Sequence, residues 1–332
     1  MVTANFAGTE RYVCEVARTQ AALGHEVHVL GGDPLQMQGW LGAAQWHDGE
    51  SLRRALQGLV TLGRLDVVHT HLTAAELVGT LSKARHHGSV VSTRHIAAPR
   101  GSSRLGRVAR PVARWGIDTE IAISHHVDAR CGPGPRTVLH NGVQSSDAVY
   151  ASGARTVVLL QRLEREKDTT TALKAWARSG LADRGWRLLV AGDGSERAAL
   201  RALASELTPT SVEFLGQVGD VGDVESLLAG TSLLLASATS EPLGLTVLEA
   251  MARGIPVVAS AAGGHLETLG AQYPYFFEPG DADGAATVLA AAAEGQDRRE
   301  QLSRELRARQ RSSFSLDGHV QALLRLYADR PA

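Results

Sequence analysis

The chain has 332 residues, 44 % hydrophobic and 21 % charged, with a formal net charge of −1. That length accommodates two domains of about 150 residues, and near-neutrality gives no general pull toward nucleic acid or an anionic membrane. No run of 18 apolar residues offers a membrane span, no signal-peptide pattern opens the chain, and Cys14 and Cys131 alone suit a reducing cytoplasm better than a disulfide framework.

Taken in chain order, the patterning predicts strands at 26–30, 66–69, 89–93, 119–123 and 137–139 in the first half, with helices at 9–23, 51–62, 74–86 and 125–130. The Gly-rich stretch 31–49 reads as a loop with a short strand. Apolar patterning lapses over 145–155, which marks a linker. The rhythm then restarts, with strands at 157–160, 187–191, 212–215, 232–236 and 257–260 and helices at 169–179, 196–206 and 245–253. An amphipathic helix is predicted at 314–328. Such alternation is the signature of α/β architecture with parallel sheets. Two Rossmann-like domains facing each other across a cleft fit it best, with ligand at the carboxyl ends of the strands.

The segment from Glu241 to Ser260 carries the most chemistry. It reads as loop, helix, stop and buried strand, with Gly254 at the left-handed helix end and Pro256 just beyond. Next to Leu243, Gly244 lets backbone approach a ligand, and the free N–H groups of Leu245, Thr246 and Val247 make a phosphate cradle at the helix N-terminus. Glu241 and Glu249 would repel phosphate, so sugar hydroxyls are their natural partners. Phosphate and hydroxyls held in one site describe a nucleotide-sugar.

This string resembles the E-x7-E signature of the retaining GT-B glycosyltransferases of family 4. The resemblance implies transfer of a sugar from a nucleoside diphosphate, UDP or GDP first, to a glycan, lipid-linked or small-molecule acceptor. It implies an acceptor-binding domain at 1–148, a donor-binding domain at 149–313, and a final helix at 314–332 returning to the first. A nucleotide-sugar epimerase of the same architecture, or a non-catalytic module of this fold, are the alternatives.

Gln161-Arg162-Leu163-Glu164-Arg165-Glu166-Lys167 follows a predicted strand, so Arg162 and Lys167 would project at its carboxyl end and clamp a diphosphate. It resembles the family's Gly-Arg-Leu…Lys-Gly motif, although Gln161 stands for Gly and Asp168 follows the lysine. Gly192 and Gly194 would admit a base or ribose, with Ser195 as helix cap. No Gly-x-Gly-x-x-Gly follows the first strand and no P-loop occurs, which argues against an NAD enzyme or P-loop NTPase.

In the first half, Gly8 precedes the first helix where the family has a Gly-rich turn lining the cleft. His95, just past a predicted strand, matches a family histidine that contacts the transferred sugar. His69 and His71 read as packing or acceptor contacts, lacking a third ligand for a metal. Gly264 and His265 lie in a segment resembling a loop beside the donor. Asn141-Gly142-Val143 resembles the motif that closes the first domain. Asp281 and Asp283 read as helix caps, so no divalent metal is expected. Arg100, Arg104, Arg107, Arg110 and Arg114 recur without an acid between them, a basic face suited to peripheral membrane contact. Residues 1–4 cover only the end of the strand that opens this family, and a clipped strand would loosen the turn at Ala7 and Gly8.

Overall fold

The computed structural model describes residues 1–329 except 101–110, 113, 149, 209 and 219–220. They form two compact units, Met1–Gly142 together with the chain from Leu316 onward, and Val143–Ser315. In the first unit the order is α1 (Gly8–Ala22), β1 (His28–Leu30), α2 (Pro34–Trp40), β2 (Gln45–His47), α3 (Leu52–Leu62), β3 (Val67–His71), α4 (Thr73–Leu81), α5 (Lys83–His86), β4 (Ser89–Arg94), β5 (Thr119–Ala122), α6 (His125–Arg130) and β6 (Thr137–Val138). The second runs β7 (Thr156–Leu160), α7 (Thr169–Arg178), β8 (Arg187–Ala191), α8 (Arg197–Leu207), β9 (Val212–Gly216), α9 (Val221–Ala229), β10 (Leu233–Ala236), α10 (Leu245–Arg253), β11 (Val257–Ser260), α11 (Gly264–Leu269), β12 (Phe276–Phe277), α12 (Ala282–Glu294) and α13 (Gln296–Ser313). The last helix, α14 (Leu316–Ala328), belongs to the first unit.

The second unit is built on one six-stranded sheet in the order β12-β11-β10-β7-β8-β9, parallel at every junction. Its central strands are covered on both faces, which is why β7, β10 and β11 read as unbroken apolar runs and not as alternation. Strands proceed outward one way from β7 and the other way from β10. The junction between those two is therefore the switch point of the sheet, where loops diverge and leave a crevice at the carboxyl ends.

In the first unit β3-β4-β5-β6 form one parallel sheet and β1-β2 a second. Residues before α1 form no strand, yet the Met1 amine donates to the Leu30 carbonyl at 2.7 Å and Gly32 N–H donates to the Thr3 carbonyl at 2.8 Å. Part of the stretch expected to be loop is instead α2, because Asp33 caps it through Gln36 N–H at 2.9 Å and Pro34 occupies the first helical position. The single helix expected at 74–86 is divided at Ser82, whose hydroxyl bonds back to the Val78 carbonyl at 2.7 Å. Asp281 does cap α12, accepting from Gly284 N–H at 2.9 Å.

Most of the basic stretch from Arg100 to Arg114 lies outside the described residues. Arg100 itself departs from the expected basic face for membrane contact. It is 8 % exposed, bonded to both Glu76 oxygens at 2.6 and 2.9 Å and to Glu120 at 3.0 Å. Glu76 is fully buried and also takes the Ser92 hydroxyl at 2.6 Å. Burial works against its charge, but Arg100, Ser92 and Arg94 outweigh burial and hold its pKa down. Among the described residues no helix is long and apolar enough to cross a membrane.

Candidate functional site

The loops after β7 and β10 meet at the switch point of the second unit. Lys167 Nζ donates to Glu241 Oε2 at 2.6 Å, across 74 residues of sequence, and both side chains are largely buried. Burial alone would raise the Glu241 carboxyl. The Lys167 ammonium outweighs that effect and holds it below its usual range. Gln161 ties the arrangement together, its amide donating to the Lys167 carbonyl at 3.0 Å and to Thr169 Oγ1 at 3.0 Å. The Ser237 hydroxyl reaches the same Lys167 carbonyl at 2.8 Å, and Thr239 N–H donates to the Glu166 carbonyl at 3.0 Å. Gln161 thus clamps the loop that presents the lysine.

Helix α10 starts beside this pair. Its N-cap Gly244 has φ +97°, and no side chain caps the helix. The first internal bond runs from Leu248 N–H to the Gly244 carbonyl, so among the described residues the amides of Leu245, Thr246 and Val247 have no partner. Three orphan donors and the positive end of the helix dipole form an anion-binding corner. Leu243, fully buried, precedes it, and Gly264 is needed because a Cβ there would stand 2.4 Å from Leu243 Cα. His265 is buried with Nδ1 at 3.0 Å from the Ser260 carbonyl, and burial lowers its pKa despite nearby Glu241. Glu249, one turn into α10, is buried at 8 % exposure.

Arg162 lies on the same loop as Lys167 but is exposed, paired at 2.6 Å with Glu166. The glycines after β8 answer first to packing. A Cβ on Gly192 would lie 1.9 Å from the Gln161 carbonyl oxygen, and one on Gly194 would lie 2.4 Å from that of Leu163. Leu163 N–H donates to the Asp193 carbonyl at 2.9 Å, so the two turns are fastened to each other. Ser195 does not cap α8 as expected. Its hydroxyl instead donates to Glu164 Oε2 at 2.6 Å, and Glu196 stands at the cap position. The structure therefore brings Arg162, Lys167, Glu241 and the Gly192–Gly194 turn together at the strand ends. The roles of Gln161 and Ser237, 76 residues apart, had no linear signal.

Gly8 and His95 belong to the first unit. Gly8 opens α1, where Ala7 N–H donates to Glu10 Oε2 at 3.0 Å. His95 sits at the end of β4 in a buried group of rings. Its Nε2 lies 2.9 Å from His71 Nδ1, and its ring meets Tyr12 edge-on at 5.4 Å. The Tyr12 hydroxyl lies 2.6 Å from His319 Nε2, and His69 Nδ1 lies 2.6 Å from the Tyr327 hydroxyl. Burial, with His319 and Arg94 nearby, lowers the His95 pKa to about 3, so the ring is neutral at physiological pH.

Residues 146–309 match the family described as Glycosyl transferases group 1, and residues 6–146 match Glycosyltransferase Family 4. The 2-deoxystreptamine glucosyltransferase of Streptomyces kanamyceticus is 30 % identical over 270 residues, covering 71 % of this chain and 68 % of its own. A glycogen synthase of Mycobacterium tuberculosis is 26 % identical over 306 residues, covering 84 % and 73 %. Among solved structures, Anabaena HepE in complex with UDP and glucose superposes with a TM-score of 0.81 at 18 % identity, covering 99 % of this chain and 98 % of its own. The sucrose-phosphate synthase of Thermosynechococcus elongatus gives 0.77 at 18 %, covering 99 % and 95 %. These neighbours share the GT-B fold. With both halves matched and a parallel sheet whose switch point holds the paired loops, the chain belongs to the family 4, group 1 glycosyltransferases.

Proposed function

We propose that this glycosyltransferase moves a hexose from a nucleoside diphosphate, UDP or GDP, to an acceptor hydroxyl, with retention at the anomeric carbon and without a metal. The observation that carries the reading is the Lys167–Glu241 pair beside the unpartnered amides of Leu245, Thr246 and Val247. A diphosphate arriving there meets one largely buried lysine and the positive end of a nine-residue helix. These charges offset the one that develops on the leaving group, in a setting already organised before the reaction. Arg162 adds a mobile guanidinium once it leaves Glu166. Sharing Lys167 with phosphate frees Glu241 to take sugar hydroxyls, while Glu249 takes the ribose and the Gly192–Gly194 turn borders the nucleoside. In the first unit His95 serves as an uncharged hydrogen-bonding group for the sugar. A carboxylate held in its charged form by a lysine ammonium suits hydroxyl recognition better than proton abstraction. The acceptor is a glycan, a lipid-linked sugar or a small molecule, reached in the cytoplasm.

Thermal shift against UDP, GDP, ADP, TDP and their sugars tests the donor site, in the wild type and in Lys167→Ala and Arg162→Ala. Stabilisation by one nucleotide family, reduced in both variants, supports the reading. No shift with any of them sinks it. Proton NMR of the first product reports the anomeric outcome, and turnover retained in excess chelator supports metal independence.

A further inference from the structure

Strands β3 and β4 lie side by side in parallel register, with His69 opposite Val91 and His71 opposite Thr93. Side chains two positions apart return to the same face of a sheet. His69, His71 and Thr93 therefore share one face, and His95 follows two positions after Thr93. Two diagonal contacts result. His69 Nε2 lies 2.7 Å from Thr93 Oγ1, and His71 Nδ1 lies 2.9 Å from His95 Nε2. Register thus sets the His-x-His of one strand against the Thr-x-His that closes the next.

The rings are packed in place. His71 and His95 are 5 % and 9 % exposed. Tyr12 of α1 meets both edge-on, with ring centroids 6.0 Å and 5.4 Å away, and His69 lies against His71 at 4.4 Å. The Tyr12 hydroxyl is held in turn by His319 of α14. Burial lowers the pKa of both His71 and His95, so each ring is uncharged at neutral pH. Among the described residues no three His, Cys, Asp or Glu side chains are placed to hold a metal, and the close nitrogens are a hydrogen-bonded pair.

That pair holds one proton. Two bare nitrogens at 2.9 Å would repel, and two N–H groups would clash. Either His71 Nδ1 donates to His95, or His95 Nε2 donates to His71. A neutral imidazole side chain is more stable with its proton on Nε2, and only the second arrangement gives both rings that form. It leaves His95 Nδ1 bare, and among the described residues that atom makes no hydrogen bond.

We infer that His71 is a positioning residue for the transfer: it accepts the Nε2 proton of His95, sets that ring's tautomer, and leaves His95 Nδ1 as an acceptor for a hydroxyl of the transferred sugar. The inference rests on the sugar-binding role proposed for His95 and adds the group that orients it. His69 has no such reach, because Thr93 and the Tyr327 hydroxyl occupy its two nitrogens.

Nitrogen NMR of histidine-labelled protein reads the tautomer directly, since a bare ring nitrogen resonates well downfield of a protonated one. The wild type is expected to show a bare Nδ1 and a protonated Nε2 at His95, and the reverse assignment would overturn the inference. His71→Leu should move His95 toward a mixture of tautomers. His71→Asn, whose side-chain oxygen reaches the place of Nδ1, should restore the single form. The wild-type spectrum decides the tautomer even if the leucine variant does not fold. Calorimetry then compares affinities for UDP-glucose and UDP, with GDP-mannose and GDP run beside them. The preference for nucleotide-sugar over nucleotide should fall about 3- to 10-fold in His71→Leu and recover in His71→Asn. A loss in His95→Ala with none in His71→Leu would overturn the positioning role alone. An unchanged preference in His95→Ala would take both histidines off the sugar, overturning the role of His95 as well.

Discussion

At position 167 a lysine ammonium sits 2.6 Å from a carboxylate that follows a different strand, and this pairing sets the chemistry of both groups. Losing one charge-assisted bond costs roughly 1.5–3 kcal/mol, so Lys167→Ala is expected to weaken donor binding by about 10- to 100-fold. Isothermal titration with the nucleotide selected by thermal shift measures it, and unchanged affinity would remove Lys167 from the diphosphate. Sequence alone made Lys167 and Glu241 candidates. It gave no hint that they touch, because contact across a sheet switch point leaves no periodicity. Glu76 is the opposite case, invisible as chemistry in the sequence and fully buried among arginines in the structure. Glu76→Gln leaves Arg100 and Arg94 short of a counter-charge, and breaking such a pair costs about 3–5 kcal/mol. A urea unfolding curve should show that loss, whereas a change below about 1 kcal/mol, the worth of an exposed pair, would show the network to be water-screened.

Elements were legible where periodicity and punctuation agreed. The span of α10, Leu245–Arg253, coincides with the expected 245–253, since Gly254 and Pro256 stop the helix and Val257 begins an apolar run. Polar α13 escaped notice because only Leu302 and Leu306 mark its buried face among charged residues. Helix α2 escaped because its Asp-Pro start lies in a Gly-rich stretch. The turn after β8 shows a different limit. Its glycines were read as room for a ligand, and the structure adds a packing reason for them, since the neighbouring backbone lies where each Cβ would stand. Gly192→Ala would place a methyl 1.9 Å from a carbonyl oxygen at φ +137°, so the loop that carries Arg162 and Lys167 must shift. The expected result is lower Tm together with lost nucleotide binding. Normal binding by the Gly192→Ala variant would mean the two turns are not mechanically joined.

At the scale of the whole molecule, the buried ring cluster of the first unit ties stability to pH. Burial, reinforced by neighbouring histidines, lowers His69 and His95 to about 3 and His319 to about 4, and it lowers His71 as well. Around them stand Tyr12, Tyr327, Thr93, Arg94, His140 and the Met1 amine. The unfolded chain, with histidines near 6.5, binds protons that the folded unit excludes. The histidines' contribution to stability is therefore full above 6.5 and is lost as pH drops from there toward 4. Urea midpoints at falling pH should decline, and His69→Gln with His95→Gln should flatten the decline. An identical slope in that double variant would place the acid sensitivity elsewhere.

What the sequence determined by itself was the alternation of elements, the family, and the residue types gathered near one nucleotide-sugar. Those depend on local spacing, on helix punctuation and on apolar runs, all of which are written along the chain. Only the tertiary structure decided which of these residues meet: Lys167 with Glu241, Gln161 with Ser237, Arg100 with Glu76. Each of these joins residues tens of positions apart, and parallel strands sharing a sheet edge bring them together without any pattern in between.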